Sequence, residues 1–161
     1  MKLFYFNLFL VCIACWQPKG YSQNPLDKLV ETEQIGDSLY NTKNYLEAAK
    51  AYTECISISE KYYIDSVKNK FPDNFMTFQI SAIQLIEESI GSFYFKRAIC
   101  RNKLQDYLGC IKDCTYAEFY SIKKYPEALY YEALARINDG QELSLICSKL
   151  KLAYQLGQYQ V

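Results

Sequence analysis

Apolar residues recur along most of this 161-residue chain with the spacing of α-helices rather than of β-strands. In six segments they return every three or four residues, and no long segment alternates apolar and polar positions as a half-buried strand does. Polar stretches separate the segments, most clearly Asn41–Asn44, Lys68–Asn74 and Asn138–Gly140. The pattern therefore predicts an all-α fold of six helices, arranged as three antiparallel hairpins.

Capping residues mark where several of these helices begin. Pro25 opens the first helix, Asn44 is the expected N-cap of the second, and Asp106 that of the fourth. Pro126 stands at the first position of the fifth helix, where its missing N–H costs nothing. On the first helix we expect five apolar residues to share the buried side, namely Leu26, Leu29, Val30, Ile35 and Leu39.

The third predicted helix is much longer than the others. Its apolar pattern continues through Phe75–Leu104, and either Asp73 or Asn74 is placed to cap its start. Gly91–Ser92 is the one soft point in this pattern.

The first 22 residues have the features of an export signal. Lys2 precedes the apolar run Leu3–Trp16, and Gly20–Ser22 supplies the small residues that a signal peptidase needs before Gln23. The apolar run is shorter than the roughly 20 residues of a membrane-spanning helix. We therefore expect residues 1–22 to be removed and the remaining protein to be periplasmic or extracellular.

A second cleavage site is an open alternative. Val11–Cys15 loosely resembles a lipobox, in which Cys15 would be acylated and become the first residue of the mature chain. The position that leucine usually holds is Cys12. The protein would then be a lipoprotein anchored at Cys15, facing the same compartment.

Charge and residue types exclude several functions. Removing Lys2 and Lys19 with the signal leaves 16 basic against 18 acidic residues, a net charge of −2, so no basic footprint for nucleic acid exists. The chain has no histidine, which excludes histidine-based catalysis and the commonest metal ligand. With no Gly-rich phosphate loop either, we expect no cofactor and no metal site.

Five cysteines follow the signal, an odd number without any closely spaced pair of the CxxC type. Cys110 and Cys114 lie one helical turn apart, where disulfide geometry is rarely reached. We expect most of the five to be buried as small hydrophobic side chains, and the sequence leaves open whether any forms a disulfide. They are Cys55, Cys100, Cys110, Cys114 and Cys147.

An internal repeat relates two of the predicted hairpins. The segment Asn44–Cys55 superposes on Asp106–Ala117 at an offset of 62 residues, and Gly36 falls over Ala98 at the same offset. Small residues at these positions allow two helices to approach closely. We therefore expect Gly36 to pack against Ala48, and Ala98 against Cys110.

At these residues the chain is similar to the tetratricopeptide repeat family. The resemblance implies a short right-handed α-solenoid of stacked helix hairpins, which binds other proteins and does no chemistry. Three copies carry it: Ile35–Gly36 with Tyr45, Ala48, Tyr52 and Cys55; Lys96–Ala98 with Tyr107, Cys110, Cys114 and Ala117; and Glu127–Tyr131 with Ala133, Gly140, Ile146, Leu150 and Ala153.

The alignment also predicts how the chain is divided. The first two copies are 62 residues apart, whereas the family repeats about every 34 residues, so a helical extension is expected between them. The predicted parts are a signal at 1–22, a helical domain at 23–157 with repeats at about 29–62, 91–124 and 126–157, an extension at about 61–90, and a tail at 158–161.

In this family the first helix of each hairpin contributes to a concave face that binds the partner. Members that clamp a C-terminal carboxylate use basic residues there, whereas the matching positions here include Glu33, Asp37 and Glu127, so a carboxylate clamp is not expected. An acidic and aromatic face suits a basic or aromatic peptide. The expected partner-binding residues are Glu33, Asp37, Tyr40, Phe95, Lys96, Ile99, Asn102, Tyr130, Tyr131 and Leu134.

The sequence thus predicts an exported interaction module that holds a protein or peptide, with no catalysis, no nucleic acid and no membrane span. One alternative is a lipid-anchored structural subunit of an envelope assembly. Another is an enzyme using a perturbed carboxylate or an exposed thiolate at Cys100 or Cys147. Because no polar cap follows the last helix, Leu145, Leu152 and Tyr154 form either a surface for weak self-association or a solvated end.

Overall fold

A computed structural model describes residues 24–68, 76–121 and 126–156 of the chain, and these residues contain helices and no strand. The all-α prediction is confirmed. The predicted signal, the lipobox at Cys15, the caps Asp73 and Asn74, and the tail lie outside the described residues. The helices are α1 (Pro25–Asn41), α2 (Tyr45–Lys68), α3 (Met76–Lys103), α4 (Tyr107–Tyr120), α5 (Pro126–Asn138) and α6 (Leu143–Gln155).

Side chains cap two of these helices. Asn24 Oδ1 accepts a hydrogen bond from the Leu26 backbone N–H at the start of α1. Asp106 Oδ1 accepts one from the Gly109 N–H, 3.0 Å away, which confirms Asp106 as the cap of α4. The Asn44 carbonyl accepts the N–H of Ala48, so Asn44 occupies the N-cap position of α2.

The turn between α1 and α2 has the same backbone geometry as the turn between α3 and α4. Lys43 and Gln105, 62 residues apart, are both left-handed, with φ of 62° and 63°. In the first turn, the Asn44 N–H donates to the Leu39 carbonyl. In the second, the Asp106 N–H donates to the Arg101 carbonyl. Both hydrogen bonds reach back the same number of residues, and both are 2.9 Å long. The repeat seen in the sequence is therefore also a repeat of local structure.

The turn between α5 and α6 begins in the same way. Gly140 takes the left-handed position with φ of 73°, and Gln141 N–H bonds to the Arg136 carbonyl at 3.0 Å. Helix α6 then starts at Leu143, after Glu142 at the N-cap. This turn is one residue longer than the other two.

Each helix packs against the next one along the chain, and α3 also contacts α5. Small residues and tyrosines make up much of the core, because they let helices approach closely while still filling the space between them. Fourteen residues form one buried cluster: Ala48, Tyr52, Cys55, Ile56, Ile90, Phe93, Tyr94, Ala98, Cys100, Cys110, Cys114, Ala117, Ala128 and Ala135. Among the described helices, none combines the length and the apolar character needed to cross a bilayer.

The predicted apolar side of α1 is wrong in part. Leu26, Val30 and Ile35 are exposed, whereas Thr32 and Gly36 are the buried residues of this helix. Gly36 faces α2, and its lack of a side chain permits the two helices to approach closely. Leu29 and Leu39 are half-buried and pack against the core, as expected.

The close contact at Gly36 also differs from the prediction. A Cβ placed on Gly36 would lie 2.8 Å from Cε1 of Tyr52 and 3.3 Å from Cβ of Ala51. The nearest neighbours of Gly36 are therefore one turn further along α2 than Ala48. The space beside Gly36 is filled by the Tyr52 ring and not by a second small residue such as Ala48.

Gly91 is not a soft point in α3. The helix continues through it, and Gly91 is buried. A Cβ there would lie 3.2 Å from the Ala117 carbonyl oxygen and 3.5 Å from Cβ of Tyr120. Gly91 thus allows α3 to approach the last turns of α4.

Candidate functional site

The ten residues predicted to bind a partner are all half-buried, and they come from α1, α3 and α5. We call them the α1–α3–α5 face. Half-buried side chains are held by packing yet keep a surface that a ligand can reach. The face comprises Glu33, Asp37 and Tyr40 of α1, Phe95, Lys96, Ile99 and Asn102 of α3, and Tyr130, Tyr131 and Leu134 of α5.

Charged residues join α1 to α3 on this face. Lys96 Nζ lies 2.8 Å from Oε1 of Glu33 and 2.8 Å from Oδ1 of Asp37. The ammonium group is also 5.7 Å from the centre of the Tyr52 ring. Lys96 therefore sits between two carboxylates and beside an aromatic ring, an arrangement that stabilises a cation.

Tyr52 was not among the predicted site residues, but it completes this group. Its hydroxyl donates a hydrogen bond of 2.7 Å to Asp37 Oδ1, although its ring is buried under α1. Burial raises the pKa of Tyr52, and its bond to Asp37 raises it further. The sequence did contain a sign of this role: the first repeat has an aromatic residue, Tyr52, at the position where the second repeat has the small residue Cys114.

The pKa shifts of Asp37 and Lys96 favour the charged form of each. Burial raises the pKa of Asp37, but the hydrogen bonds from Lys96 and Tyr52 outweigh it, so that pKa lies below its ordinary value. Burial lowers the pKa of Lys96, and the bonds to Asp37 and Glu33 outweigh this effect and raise it. Since one cation pairs with two anions, this part of the face has a net charge of −1.

Aromatic rings join α3 to α5 on the same face. Phe95 and Tyr131 meet edge to face with ring centres 5.8 Å apart, and Tyr131 meets Tyr130 in the same way at 5.8 Å. Burial raises the pKa of Tyr131, as does the neighbouring Tyr40 of α1. Rings from α3 and α5 therefore meet at Tyr131, and Tyr40 of α1 is close enough to raise its pKa.

Asn102 adds a polar group to this face. Its side-chain oxygen Oδ1 is buried and has no hydrogen-bond partner. A buried acceptor without a partner is costly, so it favours a ligand that donates a hydrogen bond. Ile99 and Leu134 contribute apolar surface nearby on α3 and α5.

A buried ion-pair cluster holds α3 and α4 together, and the sequence analysis did not identify it. Asp113 is 1 % exposed, and its two oxygens accept hydrogen bonds from Arg97 Nε and Nη2, each at 2.8 Å. Arg101 Nη1 lies 3.0 Å from Asp113 Oδ1. Because Asp113 is fully paired and inaccessible, its role is to fix the two helices rather than to bind a ligand.

A second buried cluster attaches α6 to the helices before it. Glu132 of α5, 1 % exposed, is bound by Arg136 at 2.6 Å and by Lys149 of α6 at 2.8 Å. Lys149 also pairs with Glu118 of α4 at 3.3 Å. Burial raises the pKa of Glu132, and the bonds from Lys149 and Arg136 outweigh it and lower that pKa.

The five described cysteines are free thiols. Cys55, Cys100, Cys110 and Cys114 are buried, which confirms the prediction that most of them act as small hydrophobic side chains. Burial raises the pKa of Cys100 to about 11 and that of Cys55 to about 12. An exposed thiolate at Cys100 is therefore contradicted, whereas Cys147 is exposed.

Within the described ranges, no three side chains of cysteine, aspartate or glutamate are placed to hold a metal ion together. Comparison of the chain with models of protein families gives no match, and comparison with curated proteins gives none either. The similarity to tetratricopeptide repeats thus depends on the residues and on the turns described above.

Proposed function

We propose that this protein is an exported interaction module of the tetratricopeptide repeat type, which binds a peptide or a protein partner on its α1–α3–α5 face. Its three hairpins stack as a short right-handed α-solenoid, and the protein performs no catalysis. The three equivalent turns, with Lys43, Gln105 and Gly140 in the left-handed conformation, support the repeat.

One observation carries the proposal. Ten residues chosen by alignment, from three separate helices, are all half-buried, and those of α3 contact both α1 and α5. A face of this kind is firm enough to present fixed side chains to a ligand. It offers aromatic edges for stacking, which are common anchors in protein interfaces.

The chemistry of the face defines the partner. The group of Glu33, Asp37 and Lys96 has a net charge of −1, so it favours a cationic side chain close to Asp37. The rings of Phe95 and Tyr131 favour an aromatic or large aliphatic side chain a few residues away along the ligand. The partner segment therefore combines one lysine or arginine with one aromatic or aliphatic anchor.

Selection from a random peptide library displayed on phage tests this specificity. The full chain is immobilised, and enriched peptides are synthesised and measured by isothermal titration calorimetry. We expect enrichment of a basic residue near an aromatic one, and a loss of affinity of about tenfold or more in Asp37→Arg and in Phe95→Ala. Lower affinity at higher salt is expected as well, because part of the attraction is electrostatic.

Two matched variants separate a local effect from general damage. Asp27→Arg makes the same charge change at an exposed position of α1, and Phe119→Ala removes an aromatic ring that is 78 % exposed on α4. Both should bind the selected peptides as the unchanged protein does. If Asp37→Arg and Phe95→Ala remain folded by circular dichroism and bind equally well, the face is wrongly assigned.

A further inference from the structure

A small apolar cavity lies between α1, α2 and α3, apart from the α1–α3–α5 face. Its volume is about 130 Å³, and none of its lining residues belongs to that face. Leu29 of α1, Ile58 of α2 and Ile86 of α3 form part of its walls. Leu26 and Leu85, which are 44 % and 65 % exposed, also line it, so the cavity opens to solvent.

The lining contains no charge. The nine residues that surround the cavity are one proline, three leucines, two isoleucines, two serines and one tyrosine, a lining that disfavours any charged ligand. Of the serines, Ser89 donates its hydroxyl to the Leu85 carbonyl at 2.9 Å and is thereby satisfied. The Ser59 hydroxyl, by contrast, has no hydrogen-bond partner.

Ser59 is the polar group in this lining that needs a partner. The residue is 2 % exposed, and its hydroxyl oxygen is buried without a hydrogen bond. A serine within a helix ordinarily bonds to a carbonyl one turn earlier, as Ser89 does. A buried hydroxyl without a hydrogen bond is destabilising, and a ligand with one hydrogen-bonding group would remove that cost by bonding to a rotated Ser59 side chain.

Cavity size limits the ligand. An engineered apolar cavity of about 150 Å³ in another protein stays free of water and binds benzene, so about 130 Å³ holds a single six-membered ring. We propose that this cavity binds a small uncharged molecule of the phenol class, one ring bearing one hydroxyl. The ring contacts Leu29, Ile58 and Ile86, and the hydroxyl hydrogen-bonds to Ser59.

Titration of the full chain with phenol and with benzene, followed by methyl NMR spectra, tests the site. We expect phenol to bind with a dissociation constant of about 1 mM or tighter, within the range that seven heavy atoms can provide. Phenol should bind roughly fivefold more tightly than benzene, which is the effect of one net hydrogen bond. Ring protons of phenol should show nuclear Overhauser effects to methyl groups of Leu29, Ile58 and Ile86.

Three variants separate the parts of the proposal. Ser59→Ala should bind benzene as before and lose the preference for phenol, whereas Leu29→Phe should fill the cavity and bind neither probe. Phe119→Ala, on α4, which contributes no residue to the cavity lining, should bind both probes unchanged. Absence of Overhauser effects to the lining methyls in the unchanged protein overturns the site, even if Leu29→Phe fails to fold. Equal binding of phenol and benzene overturns the role of Ser59.

Discussion

Single glycines set the distance between helices in this protein. Gly36 lies against the Tyr52 ring, and Gly91 lies against the Ala117 carbonyl. In each case a Cβ atom at the glycine would lie closer to atoms of the neighbouring helix than Cβ atoms normally lie to their neighbours. The requirement is for space and not for an unusual backbone conformation, since both glycines are within continuous helices.

Gly36→Ala should destabilise the protein although alanine favours helices. The added methyl group would displace the Tyr52 ring and weaken its hydrogen bond to Asp37. The cost of overpacking, about 1–3 kcal/mol, exceeds the gain in helix propensity of up to about 1 kcal/mol. Urea unfolding followed by circular dichroism measures the difference. Ser38→Ala, at an exposed position of the same helix, should change the free energy of unfolding by less than about 0.5 kcal/mol.

The burial of four cysteines predicts which thiols react with an alkylating reagent. In the native protein at pH 8, iodoacetamide should label Cys147 quickly and leave Cys55, Cys100, Cys110 and Cys114 unmodified, because only a thiolate that solvent can reach reacts. Burial raises the pKa of Cys55 to about 12, which adds to its protection. Peptide mapping by mass spectrometry, with a urea-unfolded sample as the control, reads out each site. Rapid labelling of Cys100 in the native state would contradict this packing.

Helix by helix, the sequence was most informative at the ends of elements. Asp106 and Pro126 correctly marked the starts of α4 and α5, because capping is a local property of a few residues. The buried side of α1 could not be read in the same way. Leu26 and Ile35 are as apolar as any core residue, yet they are exposed. Gly36 is buried because its lack of a side chain makes room for the Tyr52 ring of α2, which the pattern of α1 alone does not show.

The ion pairs that link helices also could not be predicted from the sequence. Asp113 and Glu132 are each 1 % exposed, an unusual place for a carboxylate. The cluster around Asp113 spans two helices and the one around Glu132 spans three, so the pairing depends on how those helices pack. In this way Lys149 connects α6 to Glu132 of α5 and to Glu118 of α4.

Lys149→Met should loosen α6 more than any other helix. The change leaves Glu132 with Arg136 as its remaining cation and should cost about 1–3 kcal/mol, reduced by the apolar contacts of methionine. Hydrogen exchange should show amides of α6 losing protection before those of α3. Lys151→Met, at an exposed position of the same helix, is the matched control. Equal loss of protection in both variants would show that Lys149 does not hold α6.

Across the whole molecule, the residues expected on the α1–α3–α5 face could be chosen from the sequence, but the ion pairs between them could not. Alignment of three copies identified ten positions that turn out to be half-buried alike. It could not show that Lys96 of one copy forms ion pairs with both Glu33 and Asp37 of another, because these residues are separated by about 60 positions and meet only after the hairpins pack. The charge that a partner meets is therefore a property of the assembled fold.

This pairing makes stability depend on pH. The pKa of Asp37 is lower in the folded protein than its ordinary value of 3.8, and that of Glu132 is lower than 4.5. A lowered carboxyl pKa gives stability that is fully present above the unfolded value and is lost as the pH falls through the folded value. Glu118 acts in the opposite sense. Burial raises its pKa above 4.5, so its contribution is present at low pH and lost as the pH rises through its folded value.

The free energy of unfolding should therefore fall between about pH 5 and pH 2, and Asp37→Asn should make this fall less steep. At pH 7 the substitution should cost only roughly 0.5–1 kcal/mol, because the Asp37 side chain is partly exposed and solvent screens its pair with Lys96. Urea unfolding at several pH values measures both effects, and Asp27→Asn removes an exposed carboxylate from the same helix as a control. Identical acid slopes in Asp37→Asn and the unchanged protein would mean that the Asp37–Lys96 pair does not stabilise the fold. The electrostatic part of the proposed face would then lose its support, whereas the aromatic part around Tyr131 would not.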